Sequence, residues 1–192
     1  MTFSLAAQQD TPAPHYELRD FFKNPQRSAY SLSDDGSMLG FLQPVQVEQS
    51  TRLNVFVQAL EQGKPVGAPR QLTFETERDV DGFFWKGPHT VVYAKDFHGD
   101  ENYHVLAVDV NSGDIKDLTP FEGARAGIQD DLEDDPDHLL VAHNARNSDA
   151  FDIYRVNIHT AEQTLVAENP GNIVGWQTDH QGLVRLAIAS AG

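Results

Sequence analysis

Short apolar runs rich in Val, Leu, Phe and Tyr alternate with turn residues along most of the chain. From Ser28 onward no helical period of apolar positions is sustained, and runs of this length and composition read as β-strands. Residues 16–23 predict a short helix that ends before Pro25, because a residue preceding proline is pushed out of the helical region. Residues 1–15 are polar and carry Pro12 and Pro14, which predicts a loose N-terminal arm.

The apolar runs recur in a fixed order. Leu39-Gly40-Phe41-Leu42, Val91-Val92-Tyr93-Ala94, Leu139-Leu140-Val141-Ala142 and Val184-Arg185-Leu186-Ala187 begin 52, 48 and 45 residues apart. Val55-Phe56-Val57, Val105-Leu106-Ala107-Val108 and Ile153-Tyr154-Arg155-Val156 form a second series, spaced by 50 and 48. Gln71-Leu72-Thr73, Asp117-Leu118-Thr119 and Thr164-Leu165-Val166 close each unit. A hairpin turn precedes each closing run: Glu61 to Lys64, Asn111 to Asp114 and His159 to Glu162. The middle turn, Asn111-Ser112-Gly113, has the strongest turn chemistry.

A period of 45–52 residues with four short strands per unit is the pattern of a β-propeller blade. Blade sheets are sandwiched between neighbours, so their central strands should be apolar on both faces, as Val-Val-Tyr-Ala and Leu-Leu-Val-Ala are. A β-sandwich also has short strands, but its strands do not recur in a matched order. Units fall at 28–75, 80–122 and 128–168, and a fourth starts at 172 and holds two strands by 192. Residues 1–27 form the arm and short helix, and 28–192 the partial propeller. The expected fold is therefore all-β: a β-propeller fragment of about three and a half four-stranded blades of a seven-blade ring.

Composition narrows the function. Fourteen Lys+Arg stand against 29 Asp+Glu, a net charge of −15. Nucleic acid and anionic membrane surfaces both require a basic footprint, so neither is an expected partner. Without cysteine there is no disulfide, thiolate metal site or Cys nucleophile. No apolar run approaches the length of a membrane-spanning helix. The segment Met1 to Ala7 lacks a basic n-region, so a cytoplasmic location is expected, with the periplasm also compatible.

Candidate chemistry is sparse. None of the nine serines sits in G-x-S-x-G. The eight histidines are scattered and form no H-E-x-x-H, and the odd spacing of His138 and His143 puts them on opposite faces of a strand. They are expected to be solvated or satisfied in the core. The run Asp130 to Asp137 offers oxygen ligands for calcium, yet as an EF-hand loop it has Pro136 where Gly is needed and Ala142 where Glu is needed. It is expected to be a solvated acidic connection between blades. No metal or cofactor is expected. Arg125 is the one candidate substrate-binding residue. If the inner strand of the third unit begins there, its guanidinium faces the central channel and can hold a substrate carbonyl or carboxylate. The other reading of Arg125 is a surface or inter-blade ion pair.

Four stretches resemble a known family. They are Asp20-Phe21-Phe22-Lys23-Asn24-Pro25 with Ser31-Leu32-Ser33-Asp34-Asp35-Gly36, then Arg52 to Val57, then Gly99 to His104 running to Asp117-Leu118-Thr119-Pro120-Phe121, and Asn169 to Trp176. Together they make the chain similar to the N-terminal β-propeller of prolyl oligopeptidase family serine peptidases, of the dipeptidyl aminopeptidase and acylaminoacyl peptidase type. Asp34 departs from the pattern, standing where the turn more often has Pro. The resemblance implies a non-catalytic propeller that caps a C-terminal α/β-hydrolase domain and admits peptides by size. It places the catalytic residues in the hydrolase domain, and no position here matches their motifs. Dipeptidyl peptidases of the family hold the substrate amine with a Glu-Glu pair, and no such dipeptide occurs in this sequence. The expected partners are thus the hydrolase domain, peptide substrates and a second copy through exposed blade edges. The alternative function is a free-standing propeller acting as an interaction scaffold.

Overall fold

The computed structural model describes residues 15–23, 25–97 and 99–191. Residues 1–14 of the expected arm, Asn24 of the first resembling stretch, His98 and Gly192 lie outside these residues. Leu18–Phe22 forms a single 3-10 turn and buries no residue. Such tight turns rarely extend beyond a few residues.

Three four-stranded antiparallel sheets and one two-stranded sheet follow. The first holds β1 (Ser28–Leu32), β2 (Met38–Val47), β3 (Ser50–Glu61) and β4 (Lys64–Gln71). The second holds β5 (Phe83–Lys86), β6 (Thr90–Asp96), β7 (Tyr103–Asp109) and β8 (Ile115–Asp117). The third holds β9 (Ala126–Asp130), β10 (His138–Asn147), β11 (Ala150–Asn157) and β12 (Gln163–Ala167). β13 (Ile173–Thr178) pairs with β14 (Val184–Ala189). Within each sheet the strands lie side by side in chain order. The architecture is that of propeller blades.

The two recurring apolar series are the second and third strands of each sheet. Their side chains alternate between two separate cores. Val91, Tyr93, Leu106 and Val108 pack with Leu42, Val55, Val57 and Leu72 of the first sheet. Val92, Val105 and Ala107 pack with Leu139, Val141 and Val156 of the third. The second sheet is therefore buried on both faces, which explains its unbroken apolar runs. Gly40 on β2 permits the close approach of β5, because a Cβ there would lie 2.7 Å from the Phe83 ring.

The closing Leu-Thr pairs have a defined task. Leu72 and Leu118 donate their N–H groups to the carbonyls of Val55 and Val105, both at 2.8 Å. The next residue supplies a hydroxyl in place of a ladder carbonyl: Thr73 Oγ1 accepts from Val55 N–H at 2.9 Å, and Thr119 Oγ1 from Val105 N–H at 3.0 Å. Both threonines are buried, so these N–H groups would otherwise lack a partner. The hairpin turns also repeat. Asp109 Oδ1 accepts from the N–H of Asn111 and Ser112, and Asn157 Oδ1 accepts from the N–H of His159 and Thr160. Gly113 and Ala161 occupy the matching left-handed position, at φ +80° and +61°.

Successive sheets are also tied by side-chain donors. Trp85 Nε1 donates to the carbonyl of Ser31, 3.2 Å away. Lys86 Nζ donates to the carbonyls of Asp131 and Leu132. Gln129 Nε2 donates to the carbonyl of Trp176. These bonds put the first strands of consecutive sheets next to one another. Among the described residues, no helix is long and apolar enough to cross a membrane.

The acidic run differs from expectation in its place. Asp130 to Asp137 joins β9 to β10 within one sheet rather than linking two blades. It is also less free than a solvated loop. Asp130 accepts from the Thr178 hydroxyl, and Asp135 accepts from Asp137 N–H and pairs with His138 and Arg155. These partners hold the Asp135 carboxyl below the usual carboxylate range, against the opposing effect of its burial.

Candidate functional site

Arg125 stands immediately before β9, the first and edge strand of the third sheet. Its backbone is pinned by Asn144 on β10: Arg125 N–H donates to Asn144 Oδ1 at 2.6 Å, and its carbonyl accepts from Asn144 N–H at 3.2 Å. Its exposed guanidinium has no ion-pair or hydrogen-bond partner among the described residues. The adjacency of first strands places this residue at the edge where consecutive blades meet.

His138 and His159 share one corner of the third sheet through Asn157, while His104 lies on the second sheet. His104 pairs with Asp117 at 2.7 Å, His138 with Asp135 at 3.1 Å, and His159 with Asp137 at 3.1 Å. Among the described residues, no serine hydroxyl is bonded to an imidazole, and no three acidic or histidine side chains converge as metal binding requires.

His143 is enclosed in the core between the second and third sheets. Its ring stacks on Tyr154 with centroids 4.0 Å apart and lies 5.0 Å from Phe121. Nδ1 accepts from Ala145 N–H at 3.3 Å, which assigns the proton to Nε2, 3.0 Å from Gln163 Oε1. Gln163 Nε2 then donates to the Leu118 carbonyl of the second sheet at 2.7 Å. Burial lowers the His143 pKa below its ordinary 6.5, outweighing the opposing effects of Gln163 and of Asp152, its cross-strand partner. The sign follows from linkage. Above 6.5 neither the folded nor the unfolded histidine carries the extra proton. As pH falls below 6.5 the unfolded chain takes it up first, so stability declines until the native ring titrates. Melting temperature is expected to fall between pH 7.5 and 5.5, and to fall less in a His143→Gln variant. Equal slopes in both proteins would remove this assignment.

Two polar constellations were invisible in the sequence. In the first, the fully buried Asp152 receives Arg146 through two bonds, Nε at 2.6 Å and Nη2 at 2.8 Å, and also accepts from Asn169 N–H at 2.7 Å. Asn169 in turn caps the entry to β13, bonding the carbonyls of Phe151 and Ile173 and the N–H groups of Gly171 and Ile173. In the second, a cavity of about 360 Å³ lies between the first two sheets. Arg52, Asp79 and Asp81 line one side, and Ala94, Asp96 and Tyr103 the other. Beside it Glu75 accepts from Tyr93 Oη at 2.9 Å and pairs with Lys95 at 2.6 Å. Burial, reinforced by Glu75, raises the Tyr93 pKa, so the phenol stays neutral.

No family model matches the chain. Over 99% of its length it is 33% identical to dipeptidyl aminopeptidase BIII of Pseudoxanthomonas mexicana, of which it covers 28%. It is 27% identical over 77% of its length to dipeptidyl peptidase family member 6 of Caenorhabditis elegans, covering 20% of that protein. The chain thus spans less than a third of either curated relative. Among solved structures it resembles an oligogalacturonate lyase in complex with manganese, with a TM-score of 0.60 and 12% identity, over 83% of this chain and 46% of that one. It also resembles a puromycin-hydrolysing peptidase of Mycobacterium tuberculosis, with a TM-score of 0.52 and 17% identity, over 78% of this chain and 22% of that one. At these identities the two structures speak for the fold alone. The chain resembles the N-terminal propeller of prolyl oligopeptidase family peptidases, and the resemblance extends over nearly all of it.

Proposed function

We propose that this chain is a non-catalytic, substrate-gating propeller segment of a prolyl oligopeptidase-like serine peptidase. The carrying observation is the 33% identity to a dipeptidyl aminopeptidase across 99% of the chain. The blade sheets are in keeping with it. In this reading an α/β-hydrolase domain supplies the nucleophile, and the blades admit peptides while excluding folded proteins. Arg125, with an unengaged guanidinium just before the edge strand β9, holds a substrate carbonyl or carboxylate.

The purified 192-residue chain is expected to release no chromophore from peptidyl p-nitroanilides. Turnover that a serine-directed inhibitor abolishes would overturn the reading. Self-association belongs to the same proposal. Val174, Leu186 and Ile188 on the last sheet are 70%, 65% and 53% exposed, and β14 leaves an unpaired edge among the described residues. Such surfaces favour pairing. Light scattering is expected to give more than the 21.3 kDa of one chain, and a monodisperse monomer would remove this part.

A further inference from the structure

Asp96, the last residue of β6, is 8% exposed and has no hydrogen-bond or ion-pair partner among the described residues. It lines the cavity between the first two sheets, together with its cross-strand partner Tyr103. No side-chain oxygen among the described residues is both sealed from solvent and unpartnered, so the Asp96 carboxylate opens onto this cavity, where a guest cation can reach it. Three of the neighbouring groups are engaged elsewhere, and a fourth, Arg78, lays its guanidinium against Gly99. Lys95 is held by Glu75 at 2.6 Å. Arg52 donates to the carbonyls of Glu77 and Thr51. Asp79 accepts from Leu53 N–H at 2.9 Å. Carboxylates outnumber cationic side chains in the lining by five to three, so its field favours a positive guest.

We propose that this cavity is a subsite for a basic side chain of the arginine or lysine type, with Asp96 as its counter-ion. No three acidic or histidine side chains among the described residues converge for a metal, which favours an organic cation. The volume, about 360 Å³, suits a side chain rather than a bare ammonium ion. A flexible methylene stem carries charge inward, whereas a terminal amine brings its peptide backbone with it. The proposal stands apart from the gating reading, since it concerns this chain alone and single-residue probes.

Calorimetric titration of the 192-residue chain tests it. Nα-acetyl-arginine amide or Nα-acetyl-lysine amide is expected to bind with a dissociation constant on the order of 1 mM. The Asp96→Asn variant should bind it roughly tenfold more weakly. The neutral isostere Nα-acetyl-citrulline amide should not bind measurably. Ala94→Leu, which fills the same cavity without touching the carboxylate, should also abolish binding and serves if Asp96→Asn fails to fold. Absence of binding by either basic probe, equal binding of the citrulline probe, or affinity unchanged in both variants overturns the proposal. Binding of glycinamide in preference to the side-chain probes overturns it too, by assigning the cavity to a terminal amine.

Discussion

Replacing Asp152 with alanine is expected to lower the stability of the fold by about 3 kcal/mol, since hydrogen bonds to a charged group are worth roughly 1.5–3 kcal/mol each. Asp152 is fully buried and accepts from both Arg146 and the backbone of Asn169. Alanine leaves the Asn169 N–H without an acceptor. Asn169 then loses the register that positions the carbonyls of Phe151 and Ile173 at the entry to the next sheet. The guanidinium of Arg146 is partly exposed and can turn to water, so the damage concentrates at Asn169. For a chain of this size the change corresponds to a Tm lower by roughly 6–12 °C. Asp152→Asn keeps an acceptor for Asn169 and should lose less. A Tm within about 1 °C of the parent would show that the network contributes little. The ion pair also fixes an acid limit. Arg146 holds the Asp152 carboxyl below its ordinary 3.8. Its stabilisation is therefore complete above 3.8 and is lost as pH falls through the lower native value.

The sequence carried the fold unevenly, for physical reasons. The second and third strands of the second sheet are buried on both faces, and those of the first and third sheets are largely buried, so selection for apolar residues writes them as continuous runs at a fixed period. The first strands share no such repeat: β5 is apolar (Phe83-Phe84-Trp85), but β1 and β9 are not. Ser28–Leu32 is largely exposed, and Ala126–Asp130 combines a small residue, a glycine and polar groups. An edge strand needs few apolar contacts and leaves little pattern. The closing Leu-Thr pairs were legible as repeats, but their use of a hydroxyl to extend the ladder was not. The third unit closes instead through Asp152 and Asn169, two polar residues that no period marks. Asp96 shows the same limit. It follows an apolar run like any strand-end aspartate, and only the absence of a partner in the folded chain sets it apart.

Leu118→Ala is expected to destabilise the chain by about 3 kcal/mol, the middle of the range for a buried leucine. Leu118 is 0% exposed and packs with Val92, Val105, Leu139, Val141 and Val156 between the second and third sheets. Deleting its isopropyl group leaves a void between two rigid sheets that cannot close independently, because Gln163 also bonds the Leu118 carbonyl across the same interface. Leu186→Ala supplies the contrast: the same chemical change on β14, where the side chain is 65% exposed. It should alter stability by less than about 0.5 kcal/mol. Denaturant titration of both variants at fixed protein concentration separates them. Similar losses in the two would mean that Leu186 is covered in solution, and a loss at Leu186 that grows with protein concentration would trace that cover to a second copy. A loss at Leu118 as small as that expected for Leu186 would mean that the inter-blade core tolerates the void, and would weaken the view that the blades cohere through their apolar faces.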